Sequence, residues 1–243
     1  MTGFEIAYRC AEPFLPPLYG IVRRRLISFA RDSAPRIPEI LDVGGRKSHY
    51  TIGVPAKITV TDVPRESSTQ AELNLGLTDS MIAATRNRRT NVDGIIFDDM
   101  TSSNLRDASF DCVVAVEVLE HVERDRDFLR HVRRVLRPGG IFLMTTPNGD
   151  NNPVPHNPDH KRHYTRTALH DLLEDFFDDV SVRYAVVGGR ARSLGLRPWS
   201  VKHPLQTLAS MGGNLVNAGL SALPRVSERA LGTKHLIASG RRT

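Results

Sequence analysis

The sequence predicts an α/β fold in which a mainly parallel β-sheet lies between two layers of helices. Two observations predict this fold: short apolar runs rich in β-branched residues alternate with segments of helical periodicity, and the alternation continues along most of the 243 residues. The clearest unit joins two apolar runs, Phe110–Val116 and Ile141–Thr146, through a helical segment, Val122–Leu136. A helix between two strands is the connection that parallel neighbours require, so this unit predicts the direction of the sheet.

The other elements follow from the same two periodicities. Before the central unit we expect a helix at Asp79–Arg88 and strands at Glu39–Val43, Lys57–Thr61 and Gly94–Phe97. After it we expect a helix that Thr165 caps and strands at Val180–Val187 and Lys234–Ala238. Near the N-terminus the segment Leu18–Ala30 is amphipathic, and we expect it to pack against the edge of the sheet, with capping of the ligand cleft as the alternative. Its arginine run, residues 23–25, should then be exposed.

Length and composition fit one large domain with extensions. We expect four parts: an N-terminal helical cap, 1–36; a core, 37–187; a helical extension, 188–232; and a final strand of the core with the tail, 233–243. Cys10 and Cys112 are far apart in sequence, and the second lies in a predicted buried strand, so a disulfide is not expected. No signal segment and no apolar run of the roughly 18 residues that cross a membrane occurs. The expected location is therefore the cytoplasm, with peripheral membrane contact left open.

Positive charge is concentrated in the last quarter of the chain. Residues 181–243 contain ten Lys and Arg residues and one acid, Glu228, whereas the whole chain has a net charge of +6. A basic flank of this kind attracts phosphate, nucleic acid or anionic lipid, or it simply keeps the surface soluble. Both interpretations stay open.

Acidic residues follow the predicted second and third strands, where ligands of parallel sheets bind. Asp62 lies 20 residues beyond Asp42, which precedes a glycine turn at Gly44 and Gly45. An acid at this position accepts hydrogen bonds from both hydroxyls of a ribose. After the third strand, the carboxylate of Asp99 can accept from an adenine amine while the next side chain covers the ring.

Five segments in this order resemble the class I S-adenosylmethionine (SAM)-dependent methyltransferases. They are ILDVGG at 40–45, TDV at 61–63, FDDM at 97–100, SFDCVVAVEVLEHV at 109–122 and RVLRPGGIFLMTTPN at 134–148. The resemblance implies a Rossmann-like sheet of about seven strands with an antiparallel last strand, and SAM rather than NAD as the cofactor. It also implies a set of cofactor-binding residues: Asp42, Gly44, Gly45, Arg46, Asp62, Asp99, Met100 and Glu117.

The glycine turn departs from the D-x-G-x-G-x-G pattern of that family. Arg46 and Ser48 stand where the second and third glycines are expected. One hypothesis is that Arg46 pairs with the carboxylate of the cofactor, a charge-assisted contact. The other is that the loop has a different shape and that Arg46 points outward.

Two polar clusters are expected above the cofactor. Glu117, Glu120 and His121 follow one strand, and a second group follows the next: His156, Asp159, His160, His163 and Tyr164. The pattern is similar to two groups of metal-dependent O-methyltransferases, one in ubiquinone biosynthesis and one that methylates the 2′-hydroxyl of small-RNA 3′ ends. That likeness implies Mg or Mn held by Glu117, Glu120, His121 and His160. In the alternative, which fits class I enzymes without a metal, Glu120 favours a helix start and His121 packs.

The sequence therefore predicts a SAM-dependent methyltransferase that acts on a hydroxyl of a small molecule, such as a sugar, a phenol or a lipid-linked acceptor. His160, His163 and Glu117 are the candidate catalytic residues, because an imidazole or a carboxylate can take the hydroxyl proton. In an alternative role His163 anchors its loop. Two rival functions remain, an RNA 2′-O-methyltransferase and a non-catalytic SAM-fold binding subunit. Nitrogen or carbon as the acceptor atom is also open, and the oligomeric state is undecided.

Within the extension, residues 203–224 contain no Lys, Arg, Asp or Glu. Apolar residues recur at helical spacing and are interrupted by Gly212-Gly213: Leu205, Leu208, Met211, Leu215, Val216 and Leu220. The segment predicts a pair of helices that pack against the sheet, cover an apolar acceptor, form a dimer interface or rest on a membrane. Packing against the sheet is the favoured interpretation.

Overall fold

The computed structural model describes residues 1–45, 48–64, 77–155 and 157–243. These residues form a seven-stranded sheet in the order β3-β2-β1-β4-β5-β7-β6. The strands are β1 (Glu39–Val43), β2 (Lys57–Asp62), β3 (Val92–Phe97), β4 (Phe110–Val116), β5 (Leu136–Pro147), β6 (Asp178–Val187) and β7 (Thr233–Arg241). The predicted fold class is confirmed.

Helices of the described residues lie on both faces of this sheet. They are α1 (Gly3–Ala11), α2 (Pro17–Asp32), α3 (Asp79–Arg88), α4 (Asp125–Val135), α5 (Arg166–Glu174), α6 (Arg190–Gly195) and α7 (Pro204–Ser221). Helix α4 starts later than predicted, because residues 119–121 form a separate 3-10 turn. It ends at Val135, and the extended segment that follows is already part of β5. None of the described helices is long and apolar enough to cross a membrane.

The directions of the strands indicate which edge of the sheet binds a ligand. β3, β2, β1, β4 and β5 pair in parallel, whereas β7 pairs antiparallel with both β5 and β6. The antiparallel last strand was predicted and is confirmed. Chain order reverses between β1 and β4, and the carboxyl ends of strands beside such a reversal border a crevice in α/β sheets.

Alternating side chains of the central strands divide the core into two layers. On one face Leu41 and Val113 pack with Phe128 and Leu129 of α4. On the other face Ile40 and Val114 belong to a second buried cluster, which includes Leu18, Val22, Leu26 and Ala30 of α2. Because neighbouring residues of a strand point to opposite faces, these apolar runs bury both faces of the sheet.

One prediction for α2 is wrong. The helix packs against the sheet as expected, but Arg23 is only 3% exposed instead of facing water. Its guanidinium donates to the carbonyl of Ile52 and lies 3.0 Å from Glu12 Oε2. The long side chain can therefore lie in the interior because Glu12 compensates its charge and Ile52 accepts one of its hydrogen bonds.

The extension also differs from the prediction. Residues 204–221 form a single helix that runs through Gly212 and Gly213 without a break. Its apolar side chains do not pack on the sheet: Leu205 is 81% and Leu208 is 62% exposed. Small polar side chains occupy the buried face instead, and hydrogen bonds to backbone carbonyls compensate for their burial.

Candidate functional site

A cavity of about 500 Å³ opens at the carboxyl ends of β1, β2, β3 and β4. Its volume is within the range of small-molecule and cofactor sites. Predicted cofactor residues in its lining are Gly44, Asp62, Asp99, Met100 and Glu117. Asp62 and Asp99 therefore border one crevice, which is the arrangement expected from their positions at adjacent strand ends.

The glycine turn after β1 needs glycine at both positions. Gly44 has φ +67°, and a Cβ there would lie 2.7 Å from a methyl of Val118. A Cβ on Gly45 would lie 2.5 Å from the carboxyl carbon of Asp42. Gly44 can approach Val118, and Gly45 can approach Asp42, only because a glycine has no Cβ.

Asp42 lies beneath this turn and is fully buried. Its carboxylate accepts hydrogen bonds from the hydroxyls of Tyr50 (2.8 Å) and Thr51 (3.0 Å). Burial raises the pKa of Asp42 to about 6, although hydrogen bonds to Ser48 and Tyr50 favour the charged form. Arg89, also buried, donates to Ser48 and Thr51 and ties the same loop down.

The structure thus places Asp42 under the cavity wall, and its role in cofactor binding stays a prediction. Arg46, predicted to pair with the cofactor carboxylate, lies outside the described residues, as does His156. Ser48, which departs from the glycine pattern, is buried and lines the cavity.

Four consecutive residues after β3, 98–101, line the cavity. Met100 is 3% exposed and offers an apolar surface. Asp99 Oδ1 accepts from the backbone of Thr101 (2.8 Å), which fixes the carboxylate. Asp98, which the sequence did not single out, has one buried oxygen without a hydrogen-bond partner among the described residues. Either carboxylate is therefore placed to meet a ligand here.

Glu117 follows β4 and has φ +55°, a conformation that side chains other than glycine rarely adopt. Its backbone N–H donates to the carbonyl of Thr145 (3.1 Å), and its Oε1 accepts from the Thr145 hydroxyl (2.9 Å). Oε2 lies 3.1 Å from Nδ1 of His235. Strained backbone held by several contacts concentrates at functional sites.

The pKa values of two neighbouring carboxyls of this site are shifted in opposite directions. Burial raises the pKa of Glu117, but the charge of His235 outweighs it together with hydrogen bonds, so this pKa is below its ordinary value. Burial, and then the charge of Glu117, raise the pKa of Glu120 well above its ordinary value. Oε2 of Glu120 accepts from Thr146 (3.2 Å), whereas Oε1 is buried with no partner among the described residues. Glu120 therefore holds its proton more tightly than Glu117.

The predicted metal ligands meet only in part. Ligand atoms of Glu120, His121 and His160 lie within 4.8 Å of one another. Glu117 is not part of this group, since its oxygens face Thr145 and His235 instead. The two loops nevertheless meet as predicted, because the N–H of Lys161 donates to the carbonyl of Glu120 (2.7 Å).

The histidines form a short chain beside the cavity. His121, which lines the cavity, lies 2.8 Å from Asp159 and packs edge-on against His160. His160 Nδ1 lies 2.8 Å from His163 Nε2, and His163 Nδ1 lies 2.7 Å from the carbonyl of Asn152. Burial, followed by the two neighbouring imidazoles, lowers the pKa of His160. A neutral imidazole able to take a proton is therefore present near the cavity at neutral pH.

Sequence reasoning missed His235 and Tyr19. His235 lies on β7, 118 residues from Glu117, and only the insertion of β7 between β5 and β6 brings the two together. Tyr19 on α2 lines the cavity and experiences the charge of Glu117. Alternation along β7 could have indicated an inward His235, but its partner could not be inferred without the strand order.

Comparisons with known proteins bear on this geometry. Residues 48–144 match the methyltransferase domain family. A protein of Mycolicibacterium smegmatis called "Probable S-adenosylmethionine-dependent methyltransferase" is 32% identical over 150 residues, 60% of this chain. The chain spans about half of that relative, 53% of its length. The chain is thus similar to SAM-dependent methyltransferases over part of its length, whereas the likeness to metal-dependent O-methyltransferases stays a prediction.

Solved structures share the fold at low identity. A Burkholderia thailandensis 1,6-didemethyltoxoflavin-N1-methyltransferase, with S-adenosylhomocysteine bound, has a TM-score of 0.53 at 16% identity and covers 91% of this chain and 78% of its own. The cyclase SpnF has a TM-score of 0.55 at 19% identity, with 90% and 80% covered. Because a cyclase is as similar as a methyltransferase, this likeness shows the fold and not the reaction.

Proposed function

We propose that this protein binds SAM in the cavity at the carboxyl edge of the sheet and transfers its methyl group to a hydroxyl of a small molecule. The observation that carries the proposal is the shared crevice of Asp62, Asp99 and Glu117 beside the glycine turn. Asp62 would hold the ribose hydroxyls, Asp99 the adenine amine, and Met100 a face of the adenine ring. The similarity to SAM-dependent methyltransferases supports this assignment.

Methyl transfer from SAM requires that the acceptor hydroxyl is aligned with the methyl group and that its proton is removed. The sulfonium of SAM is already activated, so the protein must hold the acceptor oxygen in line with the methyl carbon. Glu117, ionised and exposed to the cavity, is placed to orient that hydroxyl, and His160 is the candidate base. Contacts of His163 with His160 and Asn152 favour a supporting role that keeps His160 in position.

Calorimetric titration with SAM tests the cofactor site without knowledge of the acceptor. We expect Asp62→Asn to weaken SAM binding about tenfold, since it removes charge-assisted hydrogen bonds to the ribose. Asp93→Asn is the matched control, because Asp93 is an exposed acid on the neighbouring strand at the opposite edge. Equal SAM affinity in wild type and Asp62→Asn would contradict the assignment.

Methyl-labelled SAM tests the acceptor class. The protein is incubated with the small-molecule and the RNA fractions of a cell extract, and the label is followed by mass spectrometry. Label on a hydroxyl of a small molecule supports the proposal, and label on RNA supports the 2′-O-methyltransferase alternative. SAM binding without transfer to either fraction favours the non-catalytic alternative.

The alternative to a histidine base is a divalent cation, Mg or Mn, held by Glu120, His121 and His160, in which case His160 would be a ligand and not the base. The three residues offer one carboxylate and two imidazoles, and the buried unpartnered Oε1 of Glu120 is the oxygen that a cation would satisfy. A bound ion would lower the pKa of the acceptor hydroxyl. His121 and Asp159 would then orient the ligand set through their 2.8 Å contact.

Manganese binding followed by calorimetry tests this part separately from activity. We expect Glu120→Gln to abolish the tighter binding event. His170→Ala is the control, since His170, Asp171 and Glu174 form a second group at ligand spacing on the exposed side of α5. Full methyl transfer in excess EDTA would remove the metal from the mechanism and leave the SAM assignment intact.

A further inference from the structure

Helix α7 has its polar side facing the protein. Ser210, Asn214 and Asn217 are at most 2% exposed. Ser210 donates to the carbonyl of Gly195 (2.9 Å), Asn214 to that of Phe14 (2.8 Å) and Asn217 to that of Val187 (2.6 Å). The contacts are specific and link the helix to three separate segments, so its orientation is fixed.

The opposite side of α7 is apolar and exposed. We call this side the apolar face: Leu205, Leu208, Leu215, Val216 and Leu220. The five side chains are between 41% and 81% exposed and recur at helical spacing. The loop before the helix adds Leu196, Trp199 and Val201, which are 54%, 41% and 101% exposed. Exposed apolar side chains that gather on one side of a helix are typical of an interaction site.

Four exposed cations lie near α7, and we call them the basic rim: Arg24, Arg197, Lys202 and Arg225. Arg24 shares a groove with Leu215, Lys202 and Arg225 come just before and just after the helix, and the carbonyl of Arg197 accepts from Ser210. In the part of the chain that the structure describes, none of the four forms an ion pair with a carboxylate. Glu12 and Glu228, the acids beside this region, pair with Arg23 and Arg166. The rim therefore presents uncompensated positive charge.

We propose that the apolar face and the basic rim together dock the protein on an anionic lipid membrane. An interfacial helix inserts its apolar side chains below the headgroups while Lys and Arg residues contact anionic lipids. Trp199 is the residue type that is enriched at this boundary. A second copy of the chain would bring two positively charged rims together, so a lipid surface is the occupant that charge favours.

The position of α7 in the fold agrees with docking on a membrane. β6 runs parallel to β5, because both are antiparallel to β7, so Val187 ends β6 at the edge of the sheet where the cavity opens. Asn217 bonds to Val187 and thereby places α7 at that edge. A docked protein would hold its cavity close to the membrane. The docking itself does not depend on methyl transfer.

Trp199 is the only tryptophan of the chain and reports on docking directly. The full-length protein is mixed with vesicles of equal parts phosphatidylcholine and phosphatidylglycerol, and with phosphatidylcholine alone. We expect the Trp199 emission to shift to shorter wavelength with the anionic vesicles, and brominated acyl chains to quench it. Salt should weaken this binding, because part of the attraction is electrostatic.

Substitutions separate the apolar contribution to membrane binding from the electrostatic one. The variant Leu205→Ser, Leu208→Ser, Val216→Ser should lower the vesicle partition coefficient by about tenfold or more, since it removes inserted apolar area. Arg197→Gln with Lys202→Gln should lower it by about tenfold on anionic vesicles only. Ile37→Ser is the control, because Ile37 is 61% exposed and precedes β1 at the other edge of the sheet. All these side chains are exposed, so folding should be retained, which circular dichroism checks.

Three outcomes would overturn the proposal. The first is wild-type protein that stays unbound with anionic vesicles. The second is equal vesicle binding by wild type and the triple serine variant. The third is a dimer in sedimentation analysis without lipid that the triple serine variant dissociates, because the apolar face would then belong to a second copy of the chain.

Discussion

Strand β4 has an acidic residue near its start and another just beyond its end, and the two have opposite surroundings. Near the start, the two terminal nitrogens of Arg36 donate hydrogen bonds to the Asp111 carboxylate (2.7 and 2.8 Å). Nη1 of Arg137 lies 2.8 Å from the same carboxylate. Burial raises the pKa of Asp111, but Arg36 and further hydrogen bonds outweigh it and keep this pKa below its ordinary value. Beyond the end, Glu117 has strained backbone and the nearby Glu120 has an oxygen without a partner among the described residues.

The comparison indicates that the start of β4 contributes to stability, whereas the end of β4 contributes to ligand binding. Charges at the amino edge of the sheet are paired with one another, so they fix the fold and leave nothing for a ligand. At the carboxyl edge, polar atoms that lack a partner are costly unless a ligand completes them. Substitutions at the two edges should therefore affect different measurements.

The largest effect is expected at the carboxyl edge. Glu117→Gln should lower methyl transfer about a hundredfold or more, because it removes the ionised group that faces the acceptor in the proposed mechanism. The labelled-SAM assay measures the rate, and Glu123→Gln, an exposed acid nearby, is the control. Unchanged transfer by Glu117→Gln would remove the contrast between the two edges.

A second effect concerns Asp42 under the glycine turn. Its pKa is about 6 in the folded protein against an ordinary value of 3.8, so the folded state holds the proton more tightly than the unfolded state. Its contribution to the free energy of unfolding is fully present below about pH 4 and is lost as pH rises to about 6. With roughly two pKa units at 1.4 kcal/mol each, the loss is about 3 kcal/mol.

Urea denaturation at several pH values measures this effect. Asp42→Asn cannot titrate, so the difference in stability between wild type and variant should change by that amount between about pH 4 and pH 7. The titration of all other groups affects wild type and variant equally, so it cancels when the two free energies of unfolding are subtracted. A constant difference over this range would mean that folding does not raise the pKa of Asp42 above its ordinary value.

The smallest effect is expected at the amino edge. Asp111→Asn should lower the free energy of unfolding by about 2 kcal/mol, a modest loss because Arg36 is 59% exposed and water screens its charge. SAM affinity should not change. Asp107→Asn is the control, since Asp107 is 71% exposed in its own arginine pair. Weakened SAM binding in Asp111→Asn would show that the two edges are not independent.

Local sequence was sufficient to predict the strands of the sheet and one half of the site. The apolar run Phe110–Val116 has the predicted bounds of β4, because a strand buried on both faces leaves a continuous pattern. Asp62 and Asp99 could be assigned to one crevice, because parallel strands end at a common edge. Glycine at positions 44 and 45 likewise indicated a turn with close approach.

Tertiary structure decided the partners and the orientation of helices. Whether Glu117 faces a cation or His235 depends on where β7 enters the sheet, which no local pattern contains. Helical spacing in α7 shows that one side is apolar but not which side faces the protein, and hydrogen bonds of Asn214 and Asn217 to distant carbonyls decided that. The sequence by itself therefore determined periodicity and strand-end chemistry, while contacts between remote segments, whose energies depend on three-dimensional register, determined which groups meet.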